Sequence, residues 1–144
     1  MKEIISFSLE DTEKAAYSIA RIVTGKIKGK NIVCLKGELG AGKTVFARAL
    51  SKALGIDEKI VKSPTYTYLR EYKGKGFTVY HFDFYRLQET DELVLNEIIE
   101  IIEKGDSVVI IEWPEKIEHI LPDSKIEIKM DICGKNKRTI TIKE

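Results

Sequence analysis

Apolar side chains recur along this chain in two periods, and each period predicts a different element. Alternation of apolar and polar residues over Glu3–Leu9 predicts a strand, because successive strand side chains point to opposite faces. Over Asp11–Thr24 the apolar residues Ala15, Ile19, Ile22 and Val23 fall on one helical stripe. Ser8 or Asp11 stands ready to cap that helix, and Gly25 lies just beyond its end. Asn31–Leu35 is a short apolar run that reads as a buried strand. Lys43–Leu54 returns to helical spacing through Phe46, Ala47, Leu50, Ala53 and Leu54, and stops at Gly55. Ser63–Tyr72, opened by Pro64, reads as a loop or a short strand. Thr78–Tyr85 alternates and predicts a strand. Thr90–Lys104 is helical and ends at Gly105, and Val108–Ile111 is a β-branched run suited to a strand buried on both faces. A short helix is expected after Pro114. Lys125–Asp131 and Thr139–Lys143 alternate around Gly134-Lys135-Asn136, which predicts a terminal hairpin.

Strands therefore alternate with helices until strands close the chain. That order predicts an α/β fold with helices on both faces of a partly parallel central sheet and an antiparallel edge at the C-terminal hairpin. The 144 residues suit one domain with one core, and no repeat, linker or low-complexity segment divides them. Charge refines the picture only slightly. There are 24 basic and 23 acidic residues, for a formal net charge of +1, which argues against a dedicated nucleic-acid coat or a polybasic membrane anchor. Lys59, Lys62, Arg70, Lys73 and Lys75 form the one basic cluster, and a solvated face is its simplest meaning. Cys34 and Cys133 fit no metal spacing, and Cys34, inside an apolar run, reads as a small core residue. The first residues lack the pattern of a signal peptide, and no apolar run approaches the ~20 residues of a membrane span. A cytoplasmic protein is expected.

One segment carries recognisable chemistry. Gly37-Glu38-Leu39-Gly40-Ala41-Gly42-Lys43-Thr44 matches G-x-x-x-x-G-K-[ST] in full. Glycines let such a backbone wrap a phosphate with its N–H groups inward, and the following helix aims its positive dipole end at the same anion. Glu38, Leu39, Gly40, Ala41 and Gly42 supply the loop amides. Lys43 reaches the β- and γ-phosphates, and the Thr44 hydroxyl is a ligand for Mg²⁺. The match follows a predicted buried strand and opens a predicted amphipathic helix, which is the context this motif requires. ATP with Mg²⁺ is the expected ligand.

Such a site needs a carboxylate to hold the metal or orient the attacking group. Glu112 ends the run Val108–Ile111, at the tip of a buried strand beyond the loop. It takes the Walker B place, where Asp is usual. Asp83 lies in Tyr80-His81-Phe82-Asp83-Phe84-Tyr85, whose alternation puts His81 and Asp83 on one face and the aromatic residues on the other. The aromatic face is core. The His81/Asp83 face is either solvated or the wall of an active site, with Asp83 then placed to orient water or support the metal. His81 by itself reads as structural. Thr65, in Ser63-Pro64-Thr65-Tyr66, is either part of a proline-initiated turn or a γ-phosphate sensor in a mobile loop.

Taken together, Gly37–Thr44 (GELGAGKT), Ser63–Tyr66 (SPTY), His81–Leu87 (HFDFYRL) and Ile111–Glu115 (IEWPE) resemble the TsaE family in order and spacing, over nearly the whole chain. That family comprises the P-loop ATPase subunits of the bacterial machinery that makes threonylcarbamoyladenosine in tRNA. The resemblance implies a P-loop NTPase-like fold, a weak ATPase, and a role in modifying the adenosine beside the anticodon of ANN-decoding tRNAs. It implies two protein partners, the transferase subunit and its inactive paralogue; the near-neutral charge points to indirect contact with tRNA, and the lack of a long apolar run to no membrane. Carried over by position, Lys43, Asp83 and Glu112 are the catalytic set, and Thr44, Glu112 and Asp83 the metal set. Thr65 falls in the switch-like loop. Trp113 sits beside the nucleotide or the partner, and Thr12 and Arg138 stand at the nucleotide's base end. Tyr66, where Phe is common, and Asn96, near a frequent Gly, depart from the family pattern away from this chemistry.

Two other classes use the same loop. A small-molecule kinase needs a second substrate pocket and an Arg-bearing lid, and the segment after the long helix is short and poor in Arg. A GTP-binding switch reads guanine with N-K-x-D, whereas Asn136-Lys137-Arg138-Thr139 lacks the Asp. Asp131-Ile132-Cys133-Gly134 lies too late in the chain to serve as D-x-x-G. A nucleotide-dependent scaffold differs from an ATPase only in turnover.

Overall fold

The structure, a computed structural model, describes residues 1–25, 30–87 and 92–144. Strand β1 (Lys2–Ser6) leads into helix α1 (Leu9–Val23), and β2 (Ile32–Lys36) leads into α2 (Lys43–Ala53). A hairpin of β3 (Leu69–Lys73) and β4 (Thr78–Asp83) follows, then α3 (Glu92–Lys104) and β5 (Ser107–Glu112). A 3₁₀ segment, Pro114–Ile120, broken at Ile117, precedes the closing hairpin of β6 (Ile126–Gly134) and β7 (Lys137–Lys143).

All seven strands form one sheet in the order β1-β7-β6-β2-β5-β4-β3. The four central strands β6, β2, β5 and β4 run parallel, while β7, β1 and β3 are antiparallel to their neighbours. The sheet is thus partly parallel and covered on both faces, as the alternation of elements predicts. The terminal hairpin is not itself the edge, however. Its first strand pairs in parallel with β2, and its second is covered by β1, whose Ile4 stands opposite Ile140. Within 63–72 the strand is confined to the C-terminal part, and the rest is loop.

Helix starts follow local chemistry. Ser8 caps α1, its Oγ accepting the Asp11 N–H at 3.2 Å, and the Asp11 carboxylate accepts the Phe7 N–H in return at 3.0 Å. This reciprocal arrangement satisfies two backbone donors and pulls Leu9 out of the predicted strand into the helix. Hydrogen bonding to the Phe7 amide and the Ser8 hydroxyl lowers the Asp11 pKa. Helix α3 is described from Glu92, so the predicted start at Thr90 lies outside the described residues.

Two apolar layers hold the sheet. One face packs Val33, Leu35, Ile110 and Ile128 against Ala16, Ile19, Phe46 and Leu50 of α1 and α2. The other packs Cys34, Phe82, Phe84 and Ile111 against Val94 and Ile98 of α3 and Ile117 of the 3₁₀ segment. Cys34 is fully enclosed, and burial pushes its thiol pKa up to about 12. Phe46 is wholly buried one turn into α2. Phe46→Ala should therefore cost about 3–5 kcal/mol from lost transfer energy and the cavity left behind. Denaturant unfolding checks this; a loss under about 1 kcal/mol would mean the helix is not held by this contact.

Candidate functional site

Most of the candidate site residues lie at the C-terminal edge of the parallel strands, where α/β sheets bind ligands. Strand β2 delivers the chain to Gly37. There φ is +148°, and a Cβ would stand 2.4 Å from the Met130 carbonyl of β6, so only glycine fits. The loop then closes on Gly42, whose φ of +105° turns the backbone into α2 with no side-chain cap. The helix N-terminus thus faces the loop with its dipole exposed. Lys43 folds back along it: Nζ donates to the carbonyls of Gly37 (2.7 Å) and Glu38 (2.8 Å). The same ammonium lies 4.1 Å from the Trp113 ring centroid. Burial lowers the Lys43 pKa, opposed by the Glu112 and Asp83 carboxylates.

Strands β4 and β5 end side by side, and their register sets Asp83 opposite Glu112. Side-chain alternation directs both, with His81, to the face that packs on α2. Glu112 is buried, 2% exposed, yet its two oxygens are satisfied: Oε2 accepts the Thr44 hydroxyl at 2.9 Å, and Oε1 lies 2.8 Å from His81 Nε2. Asp83 accepts the Tyr85 N–H at Oδ1 (2.9 Å) and the Thr65 hydroxyl at Oδ2 (3.0 Å). Thr65 is in turn 2.7 Å from the Ser63 hydroxyl. The loop at 63–67 is therefore tied to Asp83, and the His81/Asp83 face is buried, not solvated, with Asp83 on the cavity wall. His81, read as structural from its position, contacts Glu112 directly. Phe82 and Phe84, on the opposite face, are fully buried core.

Several of these groups line one open cavity of about 790 Å³. Its walls include Leu39, Gly40, Gly42, Lys43, Thr44, Thr65, Asp83, Glu112 and Trp113, together with Thr12 and Arg138 at the far end. Glu38 and Ala41 are not among the lining residues; their carbonyls instead accept from Lys43 Nζ and from Arg138 Nε (3.0 Å), which braces the loop from behind. Thr12 is buried, its hydroxyl 3.0 Å from that of Ser6. Trp113 adopts φ +58°, rare for a bulky residue, and this turn places its ring over Lys43. Motif reading missed the floor supplied by Phe7, Ser8 and Leu9, and Asn136 in the last turn. No motif marks them: they come from the junction of β1 with α1 and from a hairpin far off in sequence. Tyr66 is 86% exposed, with the Arg86 guanidinium 4.7 Å from its ring centroid.

The size suits a nucleotide, since ligand pockets commonly span about 300–1,000 Å³. The donor set suits Mg²⁺, which takes one or two protein oxygens and completes its shell with phosphate and water. Thr44 Oγ1 and Glu112 Oε2 form such a pair beside the phosphate loop. Among the described residues no three His, Cys, Asp or Glu side chains form a closed metal cage. No helix among them is long and apolar enough to cross a membrane.

Comparison with known proteins gives the family. A family model described as threonylcarbamoyl adenosine biosynthesis protein TsaE matches residues 7–140. The chain is 36% identical over 143 residues to the tRNA threonylcarbamoyladenosine biosynthesis protein TsaE of Aquifex aeolicus, covering 99% of this chain and 96% of that protein. It is 36% identical over 125 residues to the Bacillus subtilis protein of the same name, covering 86% and 76%. The crystal structure of Bacillus subtilis YdiB superposes with a TM-score of 0.70 at 27% identity, covering 98% of this chain and 83% of that one. A phosphate loop, two acids at neighbouring strand tips and a match along nearly the whole sequence place this chain in the TsaE family.

Proposed function

We propose that the chain binds ATP with Mg²⁺ in this cavity and hydrolyses it slowly alone. In that role it serves threonylcarbamoyl modification of the adenosine beside the anticodon of ANN-decoding tRNAs. The observation that carries the nucleotide half is the 2.9 Å bond joining the Thr44 hydroxyl to Glu112 at the mouth of the phosphate loop. The family match carries the pathway half. The loop amides and Lys43 bind the β- and γ-phosphates, and Thr44 and Glu112 would hold the metal. Bound Mg²⁺ supplies positive charge at the β- and γ-oxygens, where charge shifts during transfer. Asp83 keeps lone pairs beyond the two donors it now accepts, so it can take a hydrogen bond from the attacking water and orient it. Thr65 holds that carboxylate in place. Thr12 and Arg138 flank the base end, and Trp113 covers Lys43.

The partners in this reading are the transferase subunit and its inactive paralogue, with tRNA contacted through them, in the cytoplasm. The test is hydrolysis of ATP and GTP by the purified chain, with and without that heterodimer. Slow, ATP-selective turnover that rises with the heterodimer is the expected result. Phosphate passed to an added metabolite would make the chain a small-molecule kinase. Tight binding without turnover in any mixture would leave a nucleotide-dependent scaffold.

A further inference from the structure

We infer that His81 is a positioning residue for Glu112: its Nε2–H holds Oε1, so that Oε2 alone is presented to Thr44 and the metal. The inference rests on the reading of Glu112 as a Mg²⁺ ligand and goes beyond it to the side chain behind the ligand.

The geometry begins with an unusual choice at the strand tip. Glutamate has one more rotatable bond than the usual aspartate, and its terminal torsion is broad, so its carboxylate is poorly fixed by its own backbone. A metal ligand that must stay within a few tenths of an ångström needs an external anchor. His81 supplies one. It is 1% exposed, rigidly carried on β4 next to β5, and 2.8 Å from Oε1. A carboxylate only accepts, so the proton between them sits on Nε2.

The other ring nitrogen makes no competing bond. His81 Nδ1 is buried with no hydrogen-bond partner among the described residues, so Glu112 is the partner that fixes the ring. Anchored at one oxygen, the carboxylate has a single free edge, and that edge meets the Thr44 hydroxyl at 2.9 Å. Removing a partner of this kind typically weakens metal binding about 10–100-fold.

The test reads metal coupling without turnover. A non-hydrolysable ATP analogue with an imido bridge between its β- and γ-phosphates is titrated calorimetrically into the full chain, in EDTA and over a Mg²⁺ series. The wild type, His81→Leu, His81→Gln and Glu112→Gln are compared, with melting curves for each. Glutamine is the informative rescue, because its amide nitrogen reaches the Nε2 position. We expect equal affinities in EDTA, a Mg²⁺ midpoint raised ~10–100-fold in His81→Leu, and return toward the wild-type midpoint in His81→Gln. A wild-type midpoint in His81→Leu overturns the inference, as does His81→Gln behaving like His81→Leu when both melt like the wild type. Should His81→Leu fail to fold, His81→Asn replaces it, since the shorter amide ends near Nδ1 and cannot reach Glu112. Glu112→Gln separates the two levels. If it loses Mg²⁺ coupling while His81→Leu keeps it, only the positioning role falls. If it keeps wild-type coupling, the metal reading falls and takes the inference with it.

Discussion

Lys43→Ala should abolish measurable ATP hydrolysis and weaken ATP binding, while leaving the fold in place. The reasoning starts from where the ammonium sits. It is buried, held by two loop carbonyls and the Trp113 face, on a residue that lines the cavity. Burial lowers its pKa, with the Glu112 and Asp83 charges pulling the other way. The charged form is thus held in the site at a cost, and bound phosphates would offset that cost. A donor aimed at developing oxyanion charge is worth about 10²–10³ in kcat when removed. A charged hydrogen bond to the ground-state phosphates adds ~1.5–3 kcal/mol of binding, or roughly ten- to a hundredfold. Both losses fall on the same substitution. Calorimetric ATP binding and a phosphate-release assay measure them, and far-ultraviolet circular dichroism checks the fold. Lys43→Arg should fail nearly as badly, because a planar fork does not fill the place of a compact point charge between two carbonyls. Hydrolysis by Lys43→Ala within tenfold of the wild type would show that the nucleotide lies elsewhere.

Much of this site is legible in the sequence because its parts are local. The phosphate loop needs glycine at Gly37 for reasons a single turn imposes, and the motif spells that requirement out. Glu112 is legible because a β-branched run announces a buried strand and the next charged residue must mark its tip. The alternation over 80–84 places His81 with Asp83 opposite the aromatic residues, and the structure keeps that division. What the sequence hides is long-range. Nothing local indicates that β1 joins β7 or that β6 pairs in parallel with β2, since edge pairing depends on which surfaces remain after the helices pack. The floor at Phe7–Leu9 follows from that pairing, so it is hidden too. His81 was hidden differently. Its face was readable, but its partner stands on another strand, and only the register of β4 with β5 brings Nε2 to Glu112. The boundary at Leu9 shifted because the Ser8–Asp11 cap outweighs an apolar pattern that fits strand and helix alike.

The second large effect is expected at Glu112, and the two obvious replacements should behave differently. Glu112→Ala removes the acceptor for both the Thr44 hydroxyl and the His81 Nε2–H. The imidazole is 1% exposed, so its donor is stranded, at about 1–3 kcal/mol for a buried unsatisfied group. This variant should lose stability as well as activity, and its activity alone proves little. Glu112→Gln keeps the shape. If its carbonyl faces His81, it retains that bond, and its amide then faces the Thr44 hydroxyl, which can accept as well as donate. The fold should therefore survive, while the anionic oxygen beside the phosphates is gone. Metal-borne charge stabilisation is worth several kcal/mol, which at about 1.4 kcal/mol per decade predicts a fall in kcat near 10³-fold. Affinity for ATP in EDTA should not change, because the loop amides and Lys43 are untouched. Single-turnover hydrolysis and thermal melting of the two variants measure the contrast. Wild-type turnover in a folded Glu112→Gln would move the metal to Asp83, whose carboxylate stands opposite Glu112 in the neighbouring strand. A loss in Glu112→Gln that matches Glu112→Ala in rate but not in melting temperature would assign the effect to charge and not to packing.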